Sequence, residues 1–315
     1  MPTSPADPSG LIERLVQGER RVVADLLTRL ERQTGDTPRL INLLRPHLGK
    51  AFVAGVTGPP GAGKSTLVNA LIAEARTDGH RVAVLAVDPS SPVTGGAILG
   101  DRVRMTASHD DDGVLIRSLG SRGTVGGLTP AAVRMIDALD AAGFGLILLE
   151  TVGTGQSEVD VAEIADVVVV VSAPGLGDGI QAMKAGLLEI ADILVVNKAD
   201  RDGADRTAEE LAAGLALRAN AGNVPVMKTS AISSTGIHEL WRSIVAKGEA
   251  RKAAGLDARR RRRARYLIAR AAEDVIAARM RHGDAATDAL ADAILAGEVV
   301  PLEAAIRLLS ENVGH

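Results

Sequence analysis

The sequence predicts a doubly wound, mainly parallel α/β sheet with helical extensions at both ends. Two observations carry this. Seven short runs between residues 51 and 227 are apolar at nearly every position, as parallel strands covered on both faces should be. Helical stretches separate most of them, for example residues 65–76, 131–141 and 206–219, so strand and helix alternate. The expected division is residues 1–46, a helical N-terminal extension; 47–247, the α/β domain; and 248–315, a helical C-terminal arm.

In the first segment Leu11, Ile12, Leu15 and Val16, then Val22, Val23, Leu26, Leu27 and Leu30, repeat at helical spacing. Thr37 followed by Pro38 reads as the N-cap and first turn of a further short helix, which Pro46 ends. The segment reads as a helical cap on the main domain.

The expected strands cover residues 51–56, 82–87, 114–116, 146–149, 167–171, 193–196 and 224–227. A doubly wound sheet binds its ligands at the carboxyl ends of such strands. From Gly248 onward the strand pattern stops. Nine arginines and two acids between Arg259 and Arg281 give a local charge of +7, with Ile268, Ala272, Val275 and Ile276 on one side of the helix. The run from Arg259 to Arg265 reads as a solvated helix face, with partner binding as its alternative. A final amphipathic segment covers residues 285–309.

Composition narrows the function classes. The 315 residues carry a net charge of -3, so the whole molecule is no electrostatic nucleic-acid binder. Its few aromatic residues are Phe52, Phe144, Trp241 and Tyr266, which disfavours base stacking on single strands. Without cysteine there is no disulfide and no thiolate metal site. The N-terminus lacks the pattern of a signal peptide, and no apolar run approaches a membrane span. The expectation is a soluble cytoplasmic protein.

Gly58-Pro59-Pro60-Gly61-Ala62-Gly63-Lys64-Ser65 matches the P-loop pattern, with an apolar strand before it and a helix opening at Ser65-Thr66-Leu67. Glycines let backbone N–H groups wrap phosphates, and the helix amino end adds a positive dipole. Lys64 should reach the β- and γ-phosphates and Ser65 should coordinate Mg²⁺. Pro60, Ala62 and Thr66 complete the expected phosphate cradle.

Asn197-Lys198-Ala199-Asp200 follows the expected strand at 193–196. A carboxylate at Asp200 accepts from the N1–H and N2–H₂ edge of guanine, a donor pair that adenine lacks. Lys198 can lie along the base and Asn197 can tie the loop together. Ser230 and Ala231 occupy the place of the last base-contacting loop. Together with the phosphate loop this points to GTP and GDP, and to a sheet of the P-loop GTPase type.

Three carboxylates stand where a metal and γ-phosphate would be sensed. Asp88 ends a strand, Asp101 follows the Gly-rich stretch from Thr94 to Gly100, and Glu150 opens Glu150-Thr151-Val152-Gly153-Thr154-Gly155-Gln156. Glu150 is a candidate for metal-water coordination or for orienting the attacking water, and Gly153 for touching the γ-phosphate. His80, His109 and His238 lack partners at metal-ligand spacing and read as surface residues.

The chain resembles the MeaB/ArgK family, relatives of the human methylmalonic aciduria type A protein, over roughly residues 10–285. Carrying stretches are the phosphate loop, Asp88-Pro89-Ser90-Ser91-Pro92, residues 95–105, Arg122-Gly123 with Gly126-Gly127, residues 150–159, Gly177-Asp178-Gly179-Ile180-Gln181-Ala182-Met183-Lys184-Ala185-Gly186, and Asn197 to Asp200. The resemblance implies a homodimeric GTPase chaperone of an adenosylcobalamin-dependent acyl-CoA mutase, of the methylmalonyl-CoA mutase type, gating cofactor loading and protecting or reactivating the mutase. It implies that Asp88, Asp101 and Glu150 serve Mg²⁺ and hydrolysis, that residues 176–184 with Lys184 form a further switch, and that the C-terminal arm carries dimer contacts. Two alternatives share parts of this pattern. A metal-insertion GTPase of the hydrogenase or urease type usually carries His-rich or Cys-based sites, absent from this sequence. A small-molecule kinase needs an acceptor pocket and usually reads adenine.

Overall fold

The computed structural model describes residues 8–88, 111–120, 130–151, 157–176, 186–216, 224–283 and 285–310. Three helices open the chain: α1 (Pro8–Val16), α2 (Arg20–Arg32) and α3 (Thr37–Leu44), which runs into a 3-10 turn at Arg45–His47. Leu15, Leu26, Leu30, Leu40 and Leu44 are fully buried along their apolar stripes, and α2 packs on α5 (Pro130–Ala141). One expectation shifts by a residue. Asp36, not Thr37, is the cap residue of α3. The Thr34 hydroxyl donates to Asp36 Oδ1 and the Thr37 N–H to the Thr34 carbonyl, so a turn precedes the helix and Thr37 is already helical.

The α/β body follows as β1 (Phe52–Thr57), α4 (Lys64–Thr77), β2 (Val82–Asp88), β3 (Val114–Gly120), α5, β4 (Leu146–Thr151), α6 (Ser157–Ile164), β5 (Val167–Ser172), α7 (Leu187–Ile190), β6 (Ile193–Val196), α8 (Ala204–Ala216), β7 (Val226–Lys228) and α9 (Ile237–Ala253). The seven described strands form one parallel sheet in the order β3-β2-β4-β1-β5-β6-β7. Residues of β1, β4, β5 and β6 are buried throughout, the condition that erases alternation from their sequences. β7 starts two residues later than the apolar run suggests, because Pro225 has no N–H; its carbonyl still accepts from Leu194 N–H.

The order in which strands are added reverses about β1: β2 to β4 lie on one side and β5 to β7 on the other. The crevice for a ligand therefore opens at the carboxyl end of β1. On one face, Phe52, Leu67, Leu71, Leu240, Trp241 and Ile244 build the core between the sheet, α4 and α9. Trp241 is 1% exposed; its indole N–H donates to Asp78 Oδ2 at 2.6 Å and its ring lies edge-on to His80. Gly248 sits mid-helix in α9 because an added Cβ would lie 2.5 Å from the Phe52 ring. Asp140, near the end of α5, accepts the backbone N–H groups of Gly49, Lys50 and Ala51 at 2.6, 2.9 and 2.9 Å, tying the helical extension to the start of β1.

The chain divides into two compact units, residues 1–263 and 264–315. The helix α10 (Leu256–His282) starts in the first and ends in the second. Within the first, Arg259 and Arg263 are buried, 6% and 7% exposed, beside Asp166. This corrects the expectation of a solvated arginine face: the pair recurs at i and i+4, one stripe of the helix, and that stripe faces protein. In the second unit, α11 (Ala285–Leu295) and α12 (Pro301–Ser310) enclose with the end of α10 an apolar cavity of about 180 Å³, lined by Ile276, Met280, Leu290, Ile294, Ala304 and Leu308. Ile268, Val275, Leu302 and Ile306 remain exposed. No helix among the described residues is long and apolar enough to cross a membrane.

Candidate nucleotide-binding site

The loop from Gly58 to Gly63 leaves β1 and delivers Lys64 to the first turn of α4. Two of its glycines are obligatory. A Cβ on Gly58 would lie 2.1 Å from the Val171 carbonyl oxygen, and one on Gly63, at φ +88°, would lie 2.5 Å from Asn197 Nδ2. Pro60 and Gly61 are exposed at the tip and Ala62 is buried beneath it. Lys64, 7% exposed, donates from Nζ to the carbonyls of Gly58 at 2.8 Å and Pro59 at 3.1 Å. Its ammonium thus lies over the loop, where phosphate oxygens would replace the carbonyls. Thr66 is exposed in the same turn.

Glu150 is paired opposite Val56 where β4 and β1 end. It is 5% exposed, and its Oε1 accepts the Ser65 hydroxyl at 2.6 Å. These two oxygens are ligands of the kind a hard cation takes. Among the described residues no three His, Asp or Glu side chains converge as metal ligands. A P-loop magnesium draws instead on the loop hydroxyl, a carboxylate and phosphate oxygens, and this donor set fits it. Asp88 closes β2, the neighbour of β4, but its side chain lies outside the described residues. Asp101, Gly153 and Lys184 lie outside them altogether.

Asn197, 1% exposed, joins three loops. Its Nδ2 donates to the carbonyls of Ala62 at 3.1 Å and Gly63 at 3.3 Å, while its Oδ1 accepts from Ala231 N–H at 3.2 Å. Lys198, at φ +58°, reaches back from Nζ to the Gly61 carbonyl at 2.6 Å. Asp200 Oδ1 accepts the Ser230 hydroxyl at 2.5 Å. That bond, then the residue's own backbone N–H, holds its carboxyl below the usual range, so it stands ionised as an acceptor. The structure therefore brings Gly58 to Ser65, Glu150, Asn197 to Asp200, Ser230 and Ala231 into one crevice.

Two groups at the site escaped sequence reading. Thr151 donates to Thr57 across the ends of β4 and β1 at 2.9 Å, and both are fully buried. Thr57 is the first polar residue after the buried run of β1, and Thr151 directly follows Glu150 at the end of β4. Glu158, in the first turn of α6, is pushed up by burial against the opposing pull of Lys64. Nothing local in the sequence pairs residues 94 positions apart.

Comparison with known proteins gives concordant matches. The family described as methylmalonyl-CoA mutase-associated GTPase MeaB matches residues 23–285. A protein of Pyrococcus abyssi named as a GTPase is 44% identical over 314 residues, 96% of each chain. The mitochondrial methylmalonic aciduria type A homolog of Mus musculus is 37% identical over 247 residues, 72% of this chain and 60% of that protein. The solved structure of an LAO/AO transport system kinase superposes with a TM-score of 0.76 at 27% identity, with both chains covered in full.

Proposed function

Because the chain belongs to the MeaB family of methylmalonyl-CoA mutase-associated GTPases, we propose that it is a Mg²⁺-dependent GTPase chaperone of an adenosylcobalamin-dependent acyl-CoA mutase, gating cofactor loading and protecting or reactivating the mutase. The observation that best supports guanine nucleotide as ligand is the Asn197 side chain, bonded at once to the phosphate loop and to the loop of Ala231. One amide thereby fixes the distance between phosphate and base recognition.

In this reading Asp200 accepts from the guanine edge, and the stem of Lys198 covers the base. Lys64 turns from the Gly58 and Pro59 carbonyls to the β- and γ-phosphates, where charge builds up in the transition state. Ser65, Asp88, Asp101 and Glu150 hold Mg²⁺ and its waters. Magnesium, when bound, neutralises charge between the β- and γ-phosphates. Glu150 orients the attacking water, Gly153 senses the γ-phosphate, and Lys184 adds charge when a partner engages its loop. The exposed Ile268, Val275, Leu302 and Ile306 favour a homodimer covered through the C-terminal arm. The absence of cysteine fits a cytoplasmic setting.

Phosphate release from GTP and ATP, with and without EDTA and with and without a purified cobalamin-dependent mutase, tests this reading. GTP alone should be turned over, only with Mg²⁺, and faster with the mutase. Equal use of ATP removes the guanine reading, and indifference to every such mutase removes the chaperone.

A further inference from the structure

The sheet parts where the crevice opens. The register of β1 with β4 ends at Val56 opposite Glu150. One residue on, Thr57 still pairs with Val170 of β5, and Thr151 with Val87 of β2. The two strand ends thus keep different neighbours, and a side-chain bond bridges the gap between them: the Thr151 hydroxyl donates to that of Thr57 at 2.9 Å. Both threonines are fully buried, and their branched side chains are stiff at χ1.

Alternation along a strand puts the pair on the face of the sheet away from α4. Val56 packs in the core beside α4, and Glu150 reaches Ser65 in the first turn of that helix at 2.6 Å. Gly55, two residues before Thr57, faces Val161 and Ala165 of α6 instead. Thr57 leads directly into Gly58, whose carbonyl accepts from Lys64 Nζ at 2.8 Å. Thr151 directly follows Glu150. The bond between the two hydroxyls therefore sets how far the carboxylate-bearing end of β4 stands from the root of the phosphate loop.

We propose that Thr57 and Thr151 are a pair of positioning residues, which hold the Glu150 carboxylate where it can share a divalent cation with the Ser65 hydroxyl. The inference rests on the reading of Ser65 and Glu150 as metal groups. Neither threonine touches the metal. A side chain of a binding constellation must stand within about 0.5 Å of its productive place, and partners that orient metal ligands are commonly worth about 10–100-fold in metal affinity. Two buried hydroxyls that serve only to satisfy each other can be replaced together by apolar groups of the same shape at little cost. A pair that positions a carboxylate cannot, and that difference separates the two roles.

Calorimetry on the full chain tests the pair. Affinity for a non-hydrolysable GTP analogue is measured in Mg²⁺ and in EDTA, and the ratio of the two is what the metal contributes. Urea unfolding follows stability alongside. Thr151→Val leaves the Thr57 hydroxyl without its partner, so the urea midpoint should fall, and the ratio should fall about tenfold or more. The double variant Thr57→Val with Thr151→Val should regain the midpoint but not the ratio. Thr151→Ser should keep a ratio near that of wild type. Ser172→Ala removes a fully buried hydroxyl that has no hydrogen-bond partner at the end of β5, and should leave the ratio unchanged. Affinity in EDTA should be the same throughout. A wild-type ratio in Thr151→Val or in the double variant overturns the proposal, as does an equal loss in Ser172→Ala or a loss that affinity in EDTA shares. A wild type that binds the analogue equally with and without Mg²⁺ overturns the metal reading of Ser65 and Glu150, and the role of the pair with it.

Discussion

The Ser65 hydroxyl donates to Glu150 Oε1 across 2.6 Å, joining the first turn of α4 to the last residues of β4. A metal that takes the hydroxyl as ligand must compete with this bond or share its carboxylate. Glu150→Gln keeps the shape and removes the charge. The Mg²⁺ concentration for half-maximal GTP turnover should rise, and the rate at saturating metal should fall about 10–100-fold, as for other groups that orient a metal ligand. Affinity for GDP in EDTA should change little. An unaltered metal requirement would detach Glu150 from the metal.

Asp200 is poised as an ionised acceptor on the Ser230 hydroxyl. Asp200→Asn places a donor where guanine presents its own. GTP binding should weaken by about 1–3 kcal/mol, the range for a mismatched buried hydrogen bond, and xanthine nucleotide should gain relative to guanine. Calorimetric titration with GTP, XTP and ATP reads this directly. Unchanged selectivity would move base recognition elsewhere.

Asp140 gathers three backbone N–H groups where the helical extension meets β1. Asp140→Ala strands all three, and urea unfolding should show a loss of about 2–4 kcal/mol, given the cost of unsatisfied buried donors. Asp140→Asn, which keeps one acceptor oxygen, should lose less. A stability equal to wild type in the alanine variant would mean that water replaces the carboxylate.

Asp137, one turn earlier in α5, is pushed up to about 6 by burial, against the pull of Arg263 and Arg260, with Asp140 adding to the push. An unfolded aspartate releases its proton near 4. Between those values the folded chain binds the extra proton, so this carboxyl makes stability fall as pH rises from about 4 to about 6. Asp137→Asn removes that contribution. The urea midpoint of the variant, relative to wild type, should therefore rise across this window and stay level above it. A constant difference at every pH would show that Asp137 titrates normally.

Most of the sheet was legible because its strands are buried on both faces: the runs at 167–171 and 193–196 need no partner to be recognised. The phosphate loop and Asn197 to Asp200 were legible because each is short and follows a strand. What lies across the chain was not. Asp140 and Asp166 are ordinary acids in the sequence; their partners sit 89 to 113 residues away. The arginine run misled for the same reason. Composition marks Arg259 and Arg263 as surface residues, and only the carboxylate of Asp166 explains their burial. The cap of α3 falls one residue before Thr37 because a side-chain turn from Thr34 to Asp36 precedes the helix, and aspartate is as favoured in that place as threonine.

The solitary indole has a practical consequence. Trp241 lies in the core shared by α9 and α4, the helix that begins at Lys64, with its N–H on Asp78 and His80 at its edge. Emission excited at the red edge of the indole band therefore reports from one known place. A carboxylate and an imidazole within touch are quenchers whose distance changes when α4 shifts against α9. Nucleotide docking onto the loop at the other end of α4 should be visible as a change in that emission, without a dye and without altering a residue.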